Sequence, residues 1–320
     1  MTPVASAAMA HARRFRFGVE VSTPFPGLSW ADTVRKLEDL GYSTIFAPDH
    51  FDEQWGPFTA LAAAAMVSPT IGLGTLVLDN DYRHPVVTAK EAATLDVLSE
   101  GRFELGMGSG WMRRDYEESG ISYDAPRVRV DRMIEGIAVM KGCFAEGPFD
   151  HDGHHYRITG YTGHPAPHTP GGPKLLIGGG GPRMLRYAGA TADIVGVNPS
   201  IHSGTIDLDA AQDGLAERID AKVGWVKEGA GERWEDLEIN AWIPVVELTN
   251  DAEGFAEEAA PLFGATGNEL LESPMTMIGT VAEIGERLHA RRERWGYSYH
   301  VVQAPNAEAF APVVAAFAGA

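Results

Sequence analysis

The chain holds one cysteine among its 320 residues. Cys143 has no partner for an internal disulfide, so a reducing, cytoplasmic location is expected. It falls in a helical pattern over 133–144, where a buried, inert thiol is the expected state. Positive charge is also scarce. Lys and Arg number 26 against 44 Asp and Glu, a net charge of −18 and an isoelectric point near 5.0. Nucleic acid and anionic membranes repel such a surface, so neither is expected as a partner. A local basic pocket for an anionic cofactor stays open. No uncharged apolar run reaches the roughly 18 residues of a membrane span. The N-terminal MTPVASAAMAHARRF carries Arg13 and Arg14 after its apolar part, the reverse of a secretory signal. Residues 1–12 are read as a flexible tail. No repeat is present, and low complexity is confined to that tail. His151, His154, His155, His164 and His168 cluster without cysteine or a His-Glu-x-x-His spacing. They read as a solvated loop, and no metal is expected.

What is present is alternation. Short apolar runs at 14–21, 43–47, 71–78, 102–107, 174–177, 193–197, 237–248 and 299–303 read as strands. Between and after them, helical patterns cover 30–40, 57–67, 85–98, 127–144, 183–189, 208–227, 252–263, 281–295 and 307–317. The strands are almost continuously apolar, as expected when both faces are buried. Eight such βα units predict a closed TIM (β/α)8 barrel, with a doubly wound open sheet as the rival. Residues 13–320 form one domain on this reading. Insertions are expected at about 145–172, as a loop or hairpin, and at about 200–275. Residues 264–277 read as loop.

Three motifs fall at C-terminal strand ends, where such folds bind ligands. Gly178, Gly179, Gly180 and Gly181 follow a strand and precede a helix. Free peptide N–H groups and the helix N-terminus suit a phosphate, and Arg183 adds a charge. The alternative is a permissive turn. No Gly-Lys-Ser/Thr follows, so this is not a Walker loop. Gly106 to Trp111 superficially resembles a dinucleotide fingerprint but follows the fourth strand, not the first. A close approach of backbone to a flat ligand along Gly108, Ser109 and Gly110, walled by Trp111, fits better. Asp49-His50 ends the second strand. A histidine there can exchange protons near neutral pH, and a neighbouring carboxylate can orient it. The alternative is a solvated loop histidine. Trp55 lies five residues on, where it can cover a ring or simply pack.

With those residues in view, the chain resembles the bacterial-luciferase-like flavin/deazaflavin oxidoreductase family. The resemblance rests on FAPDHF (46–51), IGLGTLVLDNDYRHPVVTAKEAATLDVLSEGRFELGMGSGW (71–111), PKLLIGGGGPRMLRYAGATADIVGVNP (173–199) and MIGTVAEIGERL (277–288). It is nearest the branch using the deazaflavin coenzyme F420, common in actinobacteria. The resemblance implies a TIM barrel with the cofactor ring at its C-terminal mouth. It places a non-prolyl cis peptide at Leu76-Val77, after Thr75, as a bulge behind the ring. It implies His50 as the active-site histidine with Trp55 nearby, and Gly179–Gly181 as the phosphate site, with Asn198 at the next strand end. Sugar dehydrogenases of the family carry a Glu after their glycine run. Trp111 stands there in this chain, which argues against sugar-phosphate activity and leaves the proton to His50, water or substrate. The implied activity is hydride transfer between F420 and a small organic substrate, reducing C=C, C=N or C=O, in a homodimer. The alternatives are a reduced-FMN monooxygenase, a non-catalytic flavin-binding protein and a metal-dependent barrel hydrolase.

Overall fold

The computed structural model describes residues 13–320, so the tail read over 1–12 lies outside the described residues. Its elements in chain order are β1 (Arg16–Glu20), α1 (Trp30–Asp39), β2 (Thr44–Ala47), α2 (Pro57–Val67), β3 (Gly72–Thr75), β4 (Leu78–Asp79), α3 (Pro85–Leu98), β5 (Phe103–Gly108), α4 (Arg113–Ser119) and α5 (Pro126–Phe144). There follow β6 (Phe149–Asp152), β7 (Arg157–Tyr161), β8 (Lys174–Gly179), α6 (Pro182–Thr191), β9 (Ile194–Val197), α7 (Leu208–Gln212) and α8 (Ala216–Ala230). The chain ends with β10 (Glu238–Ile243), β11 (Val245–Leu248), α9 (Ala252–Ala259), α10 (Gly267–Glu272), β12 (Thr276–Gly279), α11 (Val281–Trp295), β13 (Tyr297–Gln303) and α12 (Ala307–Phe317).

Eight parallel strands close a ring in the order β1, β2, β3, β5, β8, β9, β10, β13 and back to β1. The closure excludes the open-sheet rival. Strand alternation sends one set of side chains inward and the other beneath the helices. On β1, Phe17 and Val19 join the large core between barrel and helices. Arg16, Gly18 and Glu20 face the interior. The interior is narrow, and glycine makes it so. The ring of Phe46 occupies the space where Cβ atoms at Gly18 and Gly74 would fall 3.0 and 2.3 Å from it. Around it gather Leu176, Ile194, Tyr299 and Val301, with Leu76 and Val77 above. At the N-terminal end, Arg16 pairs with Glu104 (2.7 Å) and Glu238 (2.6 Å) and lies 3.6 Å over the Tyr299 ring. These buried charges satisfy one another and plug that end.

Several segments depart from the sequence reading. The strand read over 71–78 breaks at Leu76-Val77 into β3 and β4. The strand read over 237–248 breaks at Pro244, which has no N–H to continue a ladder. Its second half, β11, pairs instead with β12, inside the stretch read as loop. That stretch also contains α10, closed by a Thr266–Glu269 capping box. The helix read over 208–227 is two, α7 and α8. The insertion read over 200–275 is therefore two separate ones, 198–215 and 244–279, divided by the barrel elements α8 and β10. The insertion at 145–172 carries the antiparallel hairpin β6–β7.

Candidate active site

His50 follows β2 at the mouth of the barrel. Its Nδ1 lies 2.6 Å from Oδ2 of Asp115 on α4, and the Tyr82 hydroxyl donates to the same oxygen (3.1 Å). Asp115 is buried. This pairing corrects the sequence reading, in which Asp49 was the orienting carboxylate. Asp49 turns the other way. Its carboxylate accepts both Arg83 guanidinium nitrogens (2.6 and 2.9 Å) and the Asp79 N–H (3.1 Å), a structural clamp on the loop after β4. Asp115 fixes the His50 ring as the Nδ1–H tautomer and leaves Nε2 for a reacting partner. Trp111 stands edge-on to His50, with ring centroids 5.5 Å apart at 82°. Trp55 sits farther out on the rim, tilted against Trp30 at 5.7 Å.

Behind this pair, the Leu76–Val77 peptide is cis, as the resemblance implies. The Thr75 hydroxyl is fully buried. It donates to Gly106 O and accepts from Gly106 N, both at 2.9 Å, so it ties β3 to β5 and presents nothing to a ligand. The glycine run reads differently in space. A Cβ at Gly106 would fall 1.8 Å from Thr75 O, one at Gly108 2.7 Å from the Val77 side chain, and one at Gly110 1.9 Å from the Tyr116 hydroxyl. These glycines let the chain approach its own bulge and Tyr116, a reason for glycine here that the sequence reading did not include. Gly110 also takes φ +74°, a conformation glycine adopts without strain. The Ser109 and Gly110 carbonyls accept from Arg129 (3.2 and 3.3 Å), so this segment is held from outside the mouth.

Across the mouth, β8 runs into Gly178–Gly181. Gly179 gives way to Met184, and Gly180 to the backbone of Asn198–Ser200. Gly181 alone faces open space, with nothing within 4 Å of its would-be Cβ. It is the N-cap of α6, which has Pro182 first, no side-chain cap and no acidic residue in its first turn. The free N–H groups and partial positive charge there suit an anion. Beside them Asn198 keeps a buried Oδ1 with no partner. Arg183 does not complete this site as read, because its guanidinium pairs with Asp131. The group that organises the loop is Lys222 on α8, which sequence reading missed. Its buried ammonium donates to Gly180 O (2.7 Å) and pairs with Asp213 (2.6 Å), which also accepts the Ser200 N–H (2.7 Å). Burial lowers its pKa and Asp213 partly restores it.

Two further acids escaped the sequence reading. Glu20 is the last residue of β1, and burial pushes its carboxyl up to about 7. The Trp242 indole directs its N–H toward that carboxyl and offsets part of the rise, without closing a bond of normal geometry. Strand alternation was the signal that could have found Glu20, since Arg16, Gly18 and Glu20 share one face. Asp79 is likewise raised to about 7, by burial first, while the Tyr116 hydroxyl donates to it (2.7 Å). Both carboxyls are thus pushed toward the neutral range, by burial first. In the insert, Glu135 accepts from the backbone N–H groups of His154, His155 and Tyr156 and approaches His151 Nε2 at 3.2 Å. Among the described residues no group of His, Cys, Asp and Glu could hold a metal. Among them, no helix is long and apolar enough to cross a membrane.

The model of the luciferase-like monooxygenase family matches residues 29–218. Among similar proteins is an F420-dependent glucose-6-phosphate dehydrogenase of Intrasporangium calvum, 30% identical over 51% of this chain and 51% of that one. Another is a 5,10-methylenetetrahydromethanopterin reductase of Methanolobus tindarius, 29% identical over 58% of this chain and 54% of that one. The match thus spans about half the length of these curated relatives. Among solved structures, a coenzyme F420-dependent tetrahydromethanopterin reductase from Methanopyrus kandleri superposes with a TM-score of 0.73 at 19% identity, over 95% of this chain and 100% of that one. That likeness shows the barrel fold.

Proposed function

The chain belongs to the luciferase-like monooxygenase family, and from that footing we propose that it is an F420-dependent oxidoreductase acting on an activated C=O, C=C or C=N bond. The observation that carries the reading is the His50–Asp115 pair after β2, beside the strand that ends in Glu20, with the uncapped N-terminus of α6 following β8 on the same barrel end. The described residues fit such a cofactor. Leu76 and Val77 would support the ring, the α6 N-terminus with Gly181 would take the phosphate, and the unpartnered Asn198 Oδ1 would accept a polar hydrogen. When bound, reduced deazaflavin supplies a hydride and little reactivity toward oxygen. This chain's own task is the proton. His50, its Nδ1–H held by Asp115, directs Nε2 to a substrate heteroatom or to the cofactor; as the imidazolium, balanced by the Asp115 carboxylate, it would donate the Nε2 proton to the negative charge that hydride addition develops there. Glu20, protonated below about pH 7, is a second donor at the same mouth. This removes the need for an acid at position 111, where Trp111 stands. The two named relatives, whose names carry dehydrogenase and reductase chemistry, agree with this reading.

The family's own description favours a second reading, a reduced-flavin monooxygenase. Titration with F420 and with FMN separates the two. We expect micromolar F420 binding and much weaker FMN binding; the reverse order sinks the first reading. Within it, Asp115→Asn should lower kcat by about ten- to a hundred-fold with F420 affinity unchanged, because it disturbs the tautomer and not the pocket.

A further inference from the structure

A cavity of about 480 Å³ opens at the N-terminal end of the barrel, between α5, α6 and the insertion that precedes β8. That volume is in the range of small-molecule sites. Lys174 begins β8 and Asp193 precedes β9, so the cavity lies at the strand starts. It is about 17 Å along β8 from the glycine run at the mouth. Its wall is anchored. The Thr169 N–H and hydroxyl donate to the buried Asp96 carboxylate on α3 (2.7 and 3.0 Å). The turn that follows brings Gly172 against Phe144, where a Cβ would fall 2.5 Å from the ring. Ile137, Met140 and Phe144 of α5, with Leu105 and Leu175 of the barrel, give the cavity an apolar side.

Its charge is the reverse of the chain's. Acidic residues outnumber Lys and Arg by 44 to 26 overall, yet the cavity gathers Lys141, Lys174 and Arg233 around one acid, Asp193. Lys141 donates to Thr191 O (3.3 Å), and Arg233 to Gly189 O and Ala192 O (3.0 and 2.9 Å), all at the C-terminal end of α6. Asp193 accepts the Leu175 N–H (2.8 Å). Asp193 offsets one of the three positive charges, and the C-terminal ends of α5 and α6, at about half a negative charge each, offset roughly one more. Roughly one stays unbalanced. Lys141 registers the crowding. Desolvation lowers its pKa, Asp193 partly restores it and Arg233 lowers it again. An anion seated there relieves the repulsion between Lys141 and Arg233.

We propose that this cavity is a binding site for an aromatic carboxylate, a monoanion with an apolar body, whatever cofactor occupies the mouth. The unbalanced positive charge suits a monoanion. The carboxylate takes its place among Lys141, Lys174 and Arg233, and the ring lies toward Phe144 and Met140, out of water. Such an occupant is a ligand and not a reactant, because His50 stands at the opposite end of the barrel. It bridges α5, α6 and the insertion.

Calorimetry with acetate, benzoate and 2-naphthoate on the full chain tests this, with 2-naphthylmethylammonium as the control of opposite charge. 2-Naphthoate should bind once per chain, about three- to ten-fold more tightly than benzoate, with a negative heat-capacity change. Acetate should not saturate, and the ammonium control should not bind. Lys141 and Lys174 both reach solvent, so their Gln variants should melt within about 2 °C of wild type. Lys141→Gln and Lys174→Gln should each weaken 2-naphthoate about three- to ten-fold. Asp193→Asn, which keeps an oxygen for the Leu175 N–H, should tighten it about two- to five-fold. Gly181→Ala, at the mouth, should leave it unchanged. Absence of 2-naphthoate binding overturns the proposal. So does binding that survives both lysine changes, that is lost in Gly181→Ala, or that the ammonium control matches.

Discussion

At the scale of single residues, neighbours in sequence and partners in space part company. Asp49 and His50 are adjacent, yet their side chains leave the strand end in different directions, one to Arg83 and one to Asp115. His50 was legible from its place at a strand end; Asp115 was not, because the helix that carries it, α4, went unread. Glu20 was hidden differently, as one acid in an ordinary strand whose inward face becomes a wall of the mouth only on closure. Its titration gives a test. The folded carboxyl sits near 7 and the unfolded one near 4.5. A raised folded pKa contributes stability that is complete below pH 4.5 and is lost as pH rises through 7. Stability should therefore decline from pH 5 to 8 in urea titrations, and Glu20→Gln should flatten part of that decline. Asp79, raised in the same sense, accounts for a remainder. An unchanged slope in Glu20→Gln would show that this carboxyl titrates normally.

At the scale of elements, glycine was read correctly by position and incompletely by purpose. Both runs were recognised as loops at strand ends. Which glycines yield to the protein's own atoms and which face a ligand depends on what stands opposite each, and that is set by other strands. Two alanine substitutions expose the distinction. Gly106→Ala places a Cβ 1.8 Å from Thr75 O inside a closed barrel, where backbone must move. It should cost about 3 kcal/mol or more in denaturant titrations. Gly181→Ala meets nothing, and Gly181 has φ −89°, open to any residue. Stability should stay within about 0.5 kcal/mol of wild type, while F420 affinity falls at least ten-fold because the methyl enters the anion site. A destabilised Gly181→Ala with unaltered affinity would assign this glycine to the turn alone. The breaks at Leu76-Val77 and Pro244 follow the same logic. Apolar runs of 71–78 and 237–248 announce strands, but where a strand leaves the ladder is decided by its neighbours.

At the scale of the whole molecule, closure is what turns eight strand ends into one site. It also buries charge at the opposite end, where Arg16 meets Glu104 and Glu238 from strands β5 and β10. Arg16→Met leaves two buried carboxylates without their cation. It should cost about 3–5 kcal/mol in guanidinium titrations. The combined Arg16→Met/Glu104→Gln/Glu238→Gln variant should recover most of that loss. Equal stability of the single variant and wild type would mean the plug is dispensable. The amino-acid sequence by itself determined the barrel class, the alternation of its elements, the acidic composition and the position of His50 at a strand end. Each of these is written in local periodicity or composition. Only the tertiary structure decided the pairs: His50 with Asp115, Lys222 with Gly180 and Asp213, Arg16 with Glu104 and Glu238, and Glu20 with the mouth. Their energies depend on distance through space and on exclusion of water. Neither exists until strands far apart in the chain have closed the ring.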